Sequence, residues 1–390
     1  MSKNVRMIFD LDANATYTPS ERVRSLSIEG WNVLGNPSSL HRRGQRARAA
    51  LEEAREAVRL LAGAGARDTI VFTSGATEAN NTVVAVALRS GEGPLVASAV
   101  EHPCVLQPLM RAAEHGRSIV LLKPNSSGEL EVSQLDKVVP SDATLVSVMA
   151  ANNETGVKND IMGLNARCRT LAPHALLHTD AAQVLGKEPV HFSSLGVDIL
   201  TFSGHKIGAL PGVGAIVVRE GVDFDALLLG GPQEHKLRAG TENVLGIISL
   251  AVAARECLET LPARAHAMQA VRDRFEMLLR SALPDCQIHG QAALRLPNTS
   301  SVAFPGIRGD DLVVALDLAG VLVSSGAACS SGKPEPSHVL AAMGLSDELV
   351  RASVRFSFRA DQDISVADAV VEIVVQAVSR MRSASVRSAV

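Results

Sequence analysis

The chain has 390 residues, 46% of them hydrophobic and 20% charged, a length that suggests two domains and a composition able to bury a core. Its net charge is −3 and no long basic run occurs apart from an Arg-containing C-terminal tail, which excludes the electrostatic footprint of a nucleic-acid binder. Five cysteines, at 104, 168, 257, 286 and 329, are an odd number without a C-x-x-C pair; this argues against a disulfide framework or a zinc site and fits a reducing compartment.

The N-terminus, MSKNVRMIFDLD, lacks the apolar core and small-residue cleavage site of a secretory signal. No run of about 18 uncharged apolar residues follows, so the chain reads as cytoplasmic, with no membrane partner. Ile8 to Asp12 reads as a short strand and Asp12 to Thr18 (DANATYT) as a turn-rich polar segment. After the loop Gly35 to His41, apolar residues recur at 47, 50, 51, 54, 57, 58 and 61, the spacing of one helical face. The arginines and glutamates between them read as a solvated surface. Thr69 to Thr73 is strand-like and runs into Ser74-Gly75-Ala76-Thr77-Glu78 and a helix through Ala87. Such a turn is either an ordinary helix cap or a phosphate cradle, because helix-start N–H groups face it.

Further strands deliver polar residues in the same way. Leu95 to Val100 leads to Glu101-His102-Pro103, where the histidine is either structural or an acid–base group. Ile119 to Leu122 is another strand, and Leu145 to Ala150 leads to Asn152-Asn153, a pair that also suits plain turn chemistry. Ala175 to His178 delivers Asp180 and Gln183, and Val197 to Phe202 delivers Ser203, Gly204, His205 and Lys206. Gly212 to Val218 reads as a strand pairing back into the sheet. An acidic residue at one strand end and a partly desolvated lysine at another are what a pyridoxal phosphate site needs. Strands alternating with helices from about 44 to 250 predict an α/β fold with a mostly parallel sheet, whose ligands bind at the carboxyl ends of strands. Ser74, His102, Asn153, Asp180 and Lys206 all occupy such ends.

Thr241 precedes an apolar helix, Val244 to Ala254, and suits its N-cap. From about residue 260 the pattern changes: a charged helix (Ala263 to Leu283), a strand (Thr299 to Phe304), a helix (Leu312 to Leu318) and a short strand (Val321 to Val323). The predicted organisation is a large cofactor-binding domain, 14–260, and a smaller α/β C-terminal domain, 261–390, joined by 1–13. Cys329 lies in a loop of Ser, Gly and Ala with no apolar packing, whereas Cys104, Cys168, Cys257 and Cys286 read as buried small hydrophobes.

HTDAAQ at 178–183, SGHK at 203–206, RAGTEN at 238–243 and SSGAACSS at 324–331 resemble, in order along nearly the whole chain, the cysteine desulfurases of the class V aminotransferase group. The resemblance implies fold type I, pyridoxal 5'-phosphate as cofactor, no metal, and conversion of L-cysteine to L-alanine with sulfur left as a persulfide. It implies that Lys206 carries the cofactor, Asp180 meets its ring nitrogen, and His102 stacks on the ring and shuttles protons. Ala76, Thr77, Ser203 and His205 would hold the phosphate, and Asn153 and Gln183 the ring oxygen, with Asn153 also near the substrate carboxylate. Arg355 would grip that carboxylate, unless it forms an ion pair within the small domain. Thr241 would cross a homodimer interface to the partner's phosphate, and Cys329, in the long-loop branch, would take the sulfur for an unidentified acceptor protein in iron–sulfur cluster assembly or thiolation. A selenocysteine lyase or an aminotransferase is the alternative on the same scaffold, and a non-catalytic sulfur-relay or regulatory protein the alternative of another class. The chain departs from the family at Tyr17, reading Thr16-Tyr17-Thr18-Pro19 where two consecutive threonines and a proline are usual, and at Pro232, at Phe358-Arg359 in place of Leu-Gly-Arg, and at Gly208 to Pro211.

Overall fold

The computed structural model describes residues 8–325 and 336–388. Twelve strands are formed among the described residues: β1 Phe9–Asp10, β2 Thr69–Thr73, β3 Leu95–Ser98, β4 Ile119–Leu122, β5 Leu145–Ser147, β6 Leu176–Asp180, β7 Ile199–Ser203, β8 Gly214–Val218, β9 Gln287–Ile288, β10 Thr299–Ala303, β11 Val321–Leu322 and β12 Ser353–Ser357. Seven make one sheet in the order β2-β8-β7-β6-β5-β3-β4. All its pairings are parallel except those of β8, which runs antiparallel to both neighbours. Helices cover both faces, so alternate residues of one strand enter different cores. Ile70 and Phe72 pack on one side with the helix Arg42–Ala62, and Val71 on the other with the helix Ala76–Ser90.

The helix Arg42–Ala62 buries Ala47, Leu51, Ala54, Ala57, Val58 and Leu61 as their spacing predicts, and ends at Gly63 in the left-handed conformation. One charged residue of its supposed solvated face is buried. Arg55, four residues after Leu51 and three before Val58, turns inward to a bidentate pair with Glu234 at 2.9 and 3.1 Å.

A second core lies apart from the large sheet. Leu11, preceding the large sheet in sequence, packs there with Val302, Phe304, Val354 and Phe358. Phe275 lies between Phe356 and Phe358, at ring-centroid distances of 4.7 and 5.4 Å. β10 pairs antiparallel with β12 and β9, and β1 pairs parallel with β11.

Two expectations are corrected here. The helices expected at Val244–Ala254 and Ala263–Leu283 are a single helix, Val244–Ala282, which continues through Pro262. Its first half packs in the large core (Val244, Ile247, Leu250, Ala254) and its second in the other (Val271, Phe275, Leu279), so packing at both ends outweighs the local cost of proline. Its N-cap is Asn243, whose side chain accepts from Gly246 N, and not Thr241. No helix among the described residues is long and apolar enough to cross a membrane.

Candidate active site

The carboxyl ends of β2, β3, β5, β6 and β7 surround a cavity of about 530 Å3 lined by Ala76, Thr77, His102, Asn153, Asp180, Gln183, Ser203, His205, Lys206 and Arg355, among others. Ten of the twelve residues singled out from the sequence are thereby brought together. Thr241 is not: it lines a smaller neighbouring cavity with Ser74 and Gly212, which also border the main one. Cys329 lies outside the described residues. The flanks of its segment are fixed, since Ser324 bridges Arg355 and Ser337 Oγ donates to Glu154 Oε2.

Asp180 ends β6 and is buried. Its Oδ1 accepts from Ala182 N at 2.8 Å and its Oδ2 from Asn80 Nδ2 at 2.7 Å. Asn80 is held in turn by Thr201, whose hydroxyl donates to Asn80 Oδ1. Thr201 Oγ1 lies 3.0 Å from His178 Nε2, and His178 Nδ1 lies 2.9 Å from Ser147 Oγ. Burial pulls His178 down to about 3 and keeps it neutral. The Thr201 proton points at Asn80, so its oxygen accepts from His178 Nε2–H and His178 Nδ1 accepts from Ser147. The donors run in one direction, Ser147 to His178 to Thr201 to Asn80 to Asp180.

Lys206 follows β7 in the single turn Gly204–Lys206. Its Nζ donates to the carbonyls of Asn14 at 2.6 Å and Ala15 at 2.9 Å. The segment that receives it is built around Asn14, which is buried; Asn14 Nδ2 donates to Asn153 O and Thr299 Oγ1, and Asn14 Oδ1 accepts from Asn298 Nδ2 and Lys187 Nζ. Lys187 is buried and also donates to Gln183 Oε1 at 2.7 Å, which leaves the Gln183 amide to donate to Asn14 O at 3.2 Å. Burial, followed by the charges of Lys206, Arg355 and Arg264, holds Lys187 well below the usual lysine range.

His102 caps the helix Pro103–Glu114, its Nδ1 accepting from Cys104 N at 3.1 Å. Burial lowers its pKa, against the opposing pull of Asp180 and with help from Lys206 and His338. His205 is likewise lowered to about 4 by burial and by Lys206, and its Nδ1 lies 3.2 Å from Thr16 Oγ1. The helix Ala76–Ser90 begins at this cavity after Gly75 with no side chain capping its first turn. Arg355, on β12, is buried; its Nη2 pairs with Asp12 Oδ1 at 2.7 Å and its Nη1 donates to Asn153 O at 3.1 Å, while Nε has no partner among the described residues. The ion pair weighed for Arg355 is therefore formed, and the same guanidinium still borders the cavity.

Sequence reasoning missed Asn14, Asn80, Lys187 and Cys104. Cys104, read as a small hydrophobe, lines the cavity and lies 2.9 Å from His102 Nδ1 and 3.0 Å from Asn80 Nδ2. Cys168 and Cys257 are buried as expected, but Cys286 is only partly so. The available signal was a small polar residue, Asn80 one turn into its helix and Asn14 in a turn between two alanines.

Residues 8–368 match the family described as aminotransferase class-V. The chain is 40% identical to a cysteine desulfurase of Nostoc sp. over 378 residues, covering 96% of this chain and 94% of that one. It is 36% identical to the cysteine desulfurase NifS of Azotobacter vinelandii over 380 residues, again 96% and 94%. Among solved structures, a NifS-like protein superposes with a TM-score of 0.89 at 32% identity, covering 96% of this chain and 100% of the other. SspA in complex with cysteine superposes with a TM-score of 0.79 at 28% identity, covering 92% and 100%.

Proposed function

We propose, since the chain belongs to the class V aminotransferase family, that it is a pyridoxal phosphate-dependent cysteine desulfurase in which L-cysteine and the Cys329 thiol give L-alanine and a Cys329 persulfide. The observation that carries this reading is one cavity in which a lysine and a carboxylic residue leave the adjacent strands β7 and β6 beside an uncapped helix start.

The residues fit the family's cofactor. Gly75 to Thr77, Ser203 and His205 offer the donors a phosphate needs, Gln183 presents an N–H, Asp180 an acceptor for a protonated ring nitrogen, and Lys206 an amine. When bound, pyridoxal phosphate supplies an electron sink for bonds broken at the substrate's α-carbon. The chain's own residues do the rest. Two carbonyls orient the Lys206 amine, and His102, kept neutral by burial, can take up or pass on a proton beside it. Arg355 offers a planar fork to the substrate carboxylate, in competition with Asp12. Cys329, as thiolate, attacks the substrate sulfur; that sulfur leaves its carbon and stays on Cys329.

We further assign Thr241 to the phosphate site of a second copy in a homodimer. The chain divides into units 14–260 and 1–13 with 261–390, a division supported by Leu11 sharing a core with Val302 and Phe356. The enzyme works in the cytoplasm and hands sulfur to an acceptor protein, in iron–sulfur cluster assembly or thiolation. The test is alanine and sulfide release from L-cysteine with a reductant, on wild type and Cys329→Ser, with the visible spectrum recorded. Both products from wild type, and a serine variant that keeps the cofactor band without releasing sulfide, are expected. Turnover that persists without Cys329 would move the function to the lyase or aminotransferase side, and a protein without the band would move it to a non-catalytic role.

A further inference from the structure

We propose that Cys104 is a positioning residue of this active site: its thiol joins the His102 imidazole to the Asn80 amide that holds Asp180, and keeps the His102 ring proton on Nε2. The inference rests on the desulfurase reading for its turnover readout only; the geometry stands by itself.

Asn80 has two amide protons and both are placed. One goes to Asp180 Oδ2 at 2.7 Å and the other to Cys104 Sγ at 3.0 Å, while its carbonyl oxygen accepts from Thr201. The amide cannot flip without setting Oδ1 against Asp180. Cys104 Sγ therefore accepts a hydrogen bond from Asn80, and its own S–H is left for His102 Nδ1, 2.9 Å away. The backbone N–H of Cys104 points at the same nitrogen at 3.1 Å. With two donors on Nδ1, a proton there is opposed twice, and a neutral His102 carries its proton on Nε2.

The thiol is suited to this and not to sulfur transfer. Burial, then the nearby Asp180, pushes Cys104 up to about 12, so it stays S–H at neutral pH and is a poor nucleophile. It is 8% exposed yet lines the cavity, so removal of its sulfur empties space beside the reacting groups. The groups facing His102 are Asp180 at the end of β6, Lys206 after β7, His338 at the start of the helix His338–Ala342, and the Cys104 thiol. Asp180 favours the protonated ring, and Lys206 and His338 oppose it. Loss of the thiol donor leaves Nδ1 more basic, and the balance moves toward protonation.

The experiment follows the ring nitrogens of His102 in holoenzyme labelled with 15N-histidine, assigned by His102→Gln, across pH 5 to 9. Wild type, Cys104→Ala and Cys104→Ser are compared, and the pH profile of kcat/KM is recorded beside them. Wild type is expected to show the Nε2–H tautomer. Cys104→Ala raises the His102 protonation midpoint by about 0.5–1 pH unit, the effect of one lost hydrogen bond, and the acid limb of kcat/KM moves with it. Cys104→Ser, which keeps a donor, restores both. An unchanged midpoint in Cys104→Ala overturns the proposal, as does an equal shift in both variants, which loss of packing would give. If wild type forms no alanine from L-cysteine the desulfurase reading fails, while the nitrogen shifts still decide the role of the thiol.

Discussion

His178 lies under the active site with no acidic partner among the described residues, and its titration gives a stability effect of calculable size. The ring is buried between Ser147 and Thr201, and burial lowers its pKa from 6.5 to about 3. In the unfolded chain the ring takes up a proton below about 6.5. The unfolded state therefore binds more protons than the folded one between the two values, so stability is full above pH 6.5 and declines as pH falls toward 3. At about 1.36 kcal/mol per pH unit, the descent from pH 7 to 5 costs the fold about 2 kcal/mol through this one residue, and the whole interval costs about 5 kcal/mol. In His178→Gln a neutral side chain keeps an N–H for Thr201 and removes the titration. Urea unfolding of both proteins at pH 7, 6 and 5 should show the variant gaining about 2 kcal/mol on wild type across that range, whatever their offset at pH 7. Parallel pH dependences would refute the neutral buried imidazole, and with it the direction of the donor chain that ends on Asp180.

Glu154 gives the opposite sign. Burial raises its carboxyl to about 7, so its contribution is complete below the usual 4.5 and is lost as pH rises through 7; wild type should lose about 2.5 kcal/mol against Glu154→Gln between pH 5 and 8, measured by the same unfolding. Glu234→Ala should destabilise by about 3 kcal/mol, because it removes the buried charge partner of Arg55, leaving it the exposed Glu52 at 3.3 Å, and strips an acceptor from Phe72 N; a loss under about 1 kcal/mol in chemical denaturation would contradict the buried pair. Asp12→Asn should lower KM for L-cysteine about fivefold, since a charge-assisted competitor for Arg355 worth about 1 kcal/mol is removed. A rise in KM would show instead that Asp12 aims the guanidinium.

The strand ends were legible in the sequence because each is announced by the same local event, an apolar run that stops and is followed by a polar or small residue. Asp180 and Lys206 could be placed together for that reason, since β6 and β7 are parallel neighbours. What holds them could not be read, because it depends on pairs distant in the chain: Asn80 with Asp180, Lys187 with Asn14, Asn298 with Asn14. A buried lysine with two amide acceptors and a surface lysine have the same local sequence. Arg55 was misplaced for a related reason, as its helical position favours burial but its charge argues for solvent until Glu234 is known to face it. The long helix was divided near residue 260, where the residue pattern changes, and packing of its two halves in different cores accounts for its continuity.

The departures from the family at Tyr17 and at Phe358-Arg359 are parts of one cluster. Tyr17 is buried, with the guanidinium groups of Arg264 and Arg359 over its ring, and its hydroxyl accepts from Ala360 N at 3.0 Å. Arg359 also donates to Thr18 Oγ1 at 2.9 Å, and Phe358 fills the core beside Phe275. Tyr17 therefore turns away from the cavity while Thr16 still lines it. Tyr17 N donates to His205 O at 3.0 Å, which ties this cluster to the turn that carries Lys206. The carbonyls that receive the Lys206 amine belong to Asn14 and Ala15, three and two residues before Tyr17. The altered segment thus remains fastened at one end by Asn14 and at the other by Tyr17. Tyr17 and Arg359 are partners of each other, so these departures keep the lysine's cradle in place while changing the side chains that fix it.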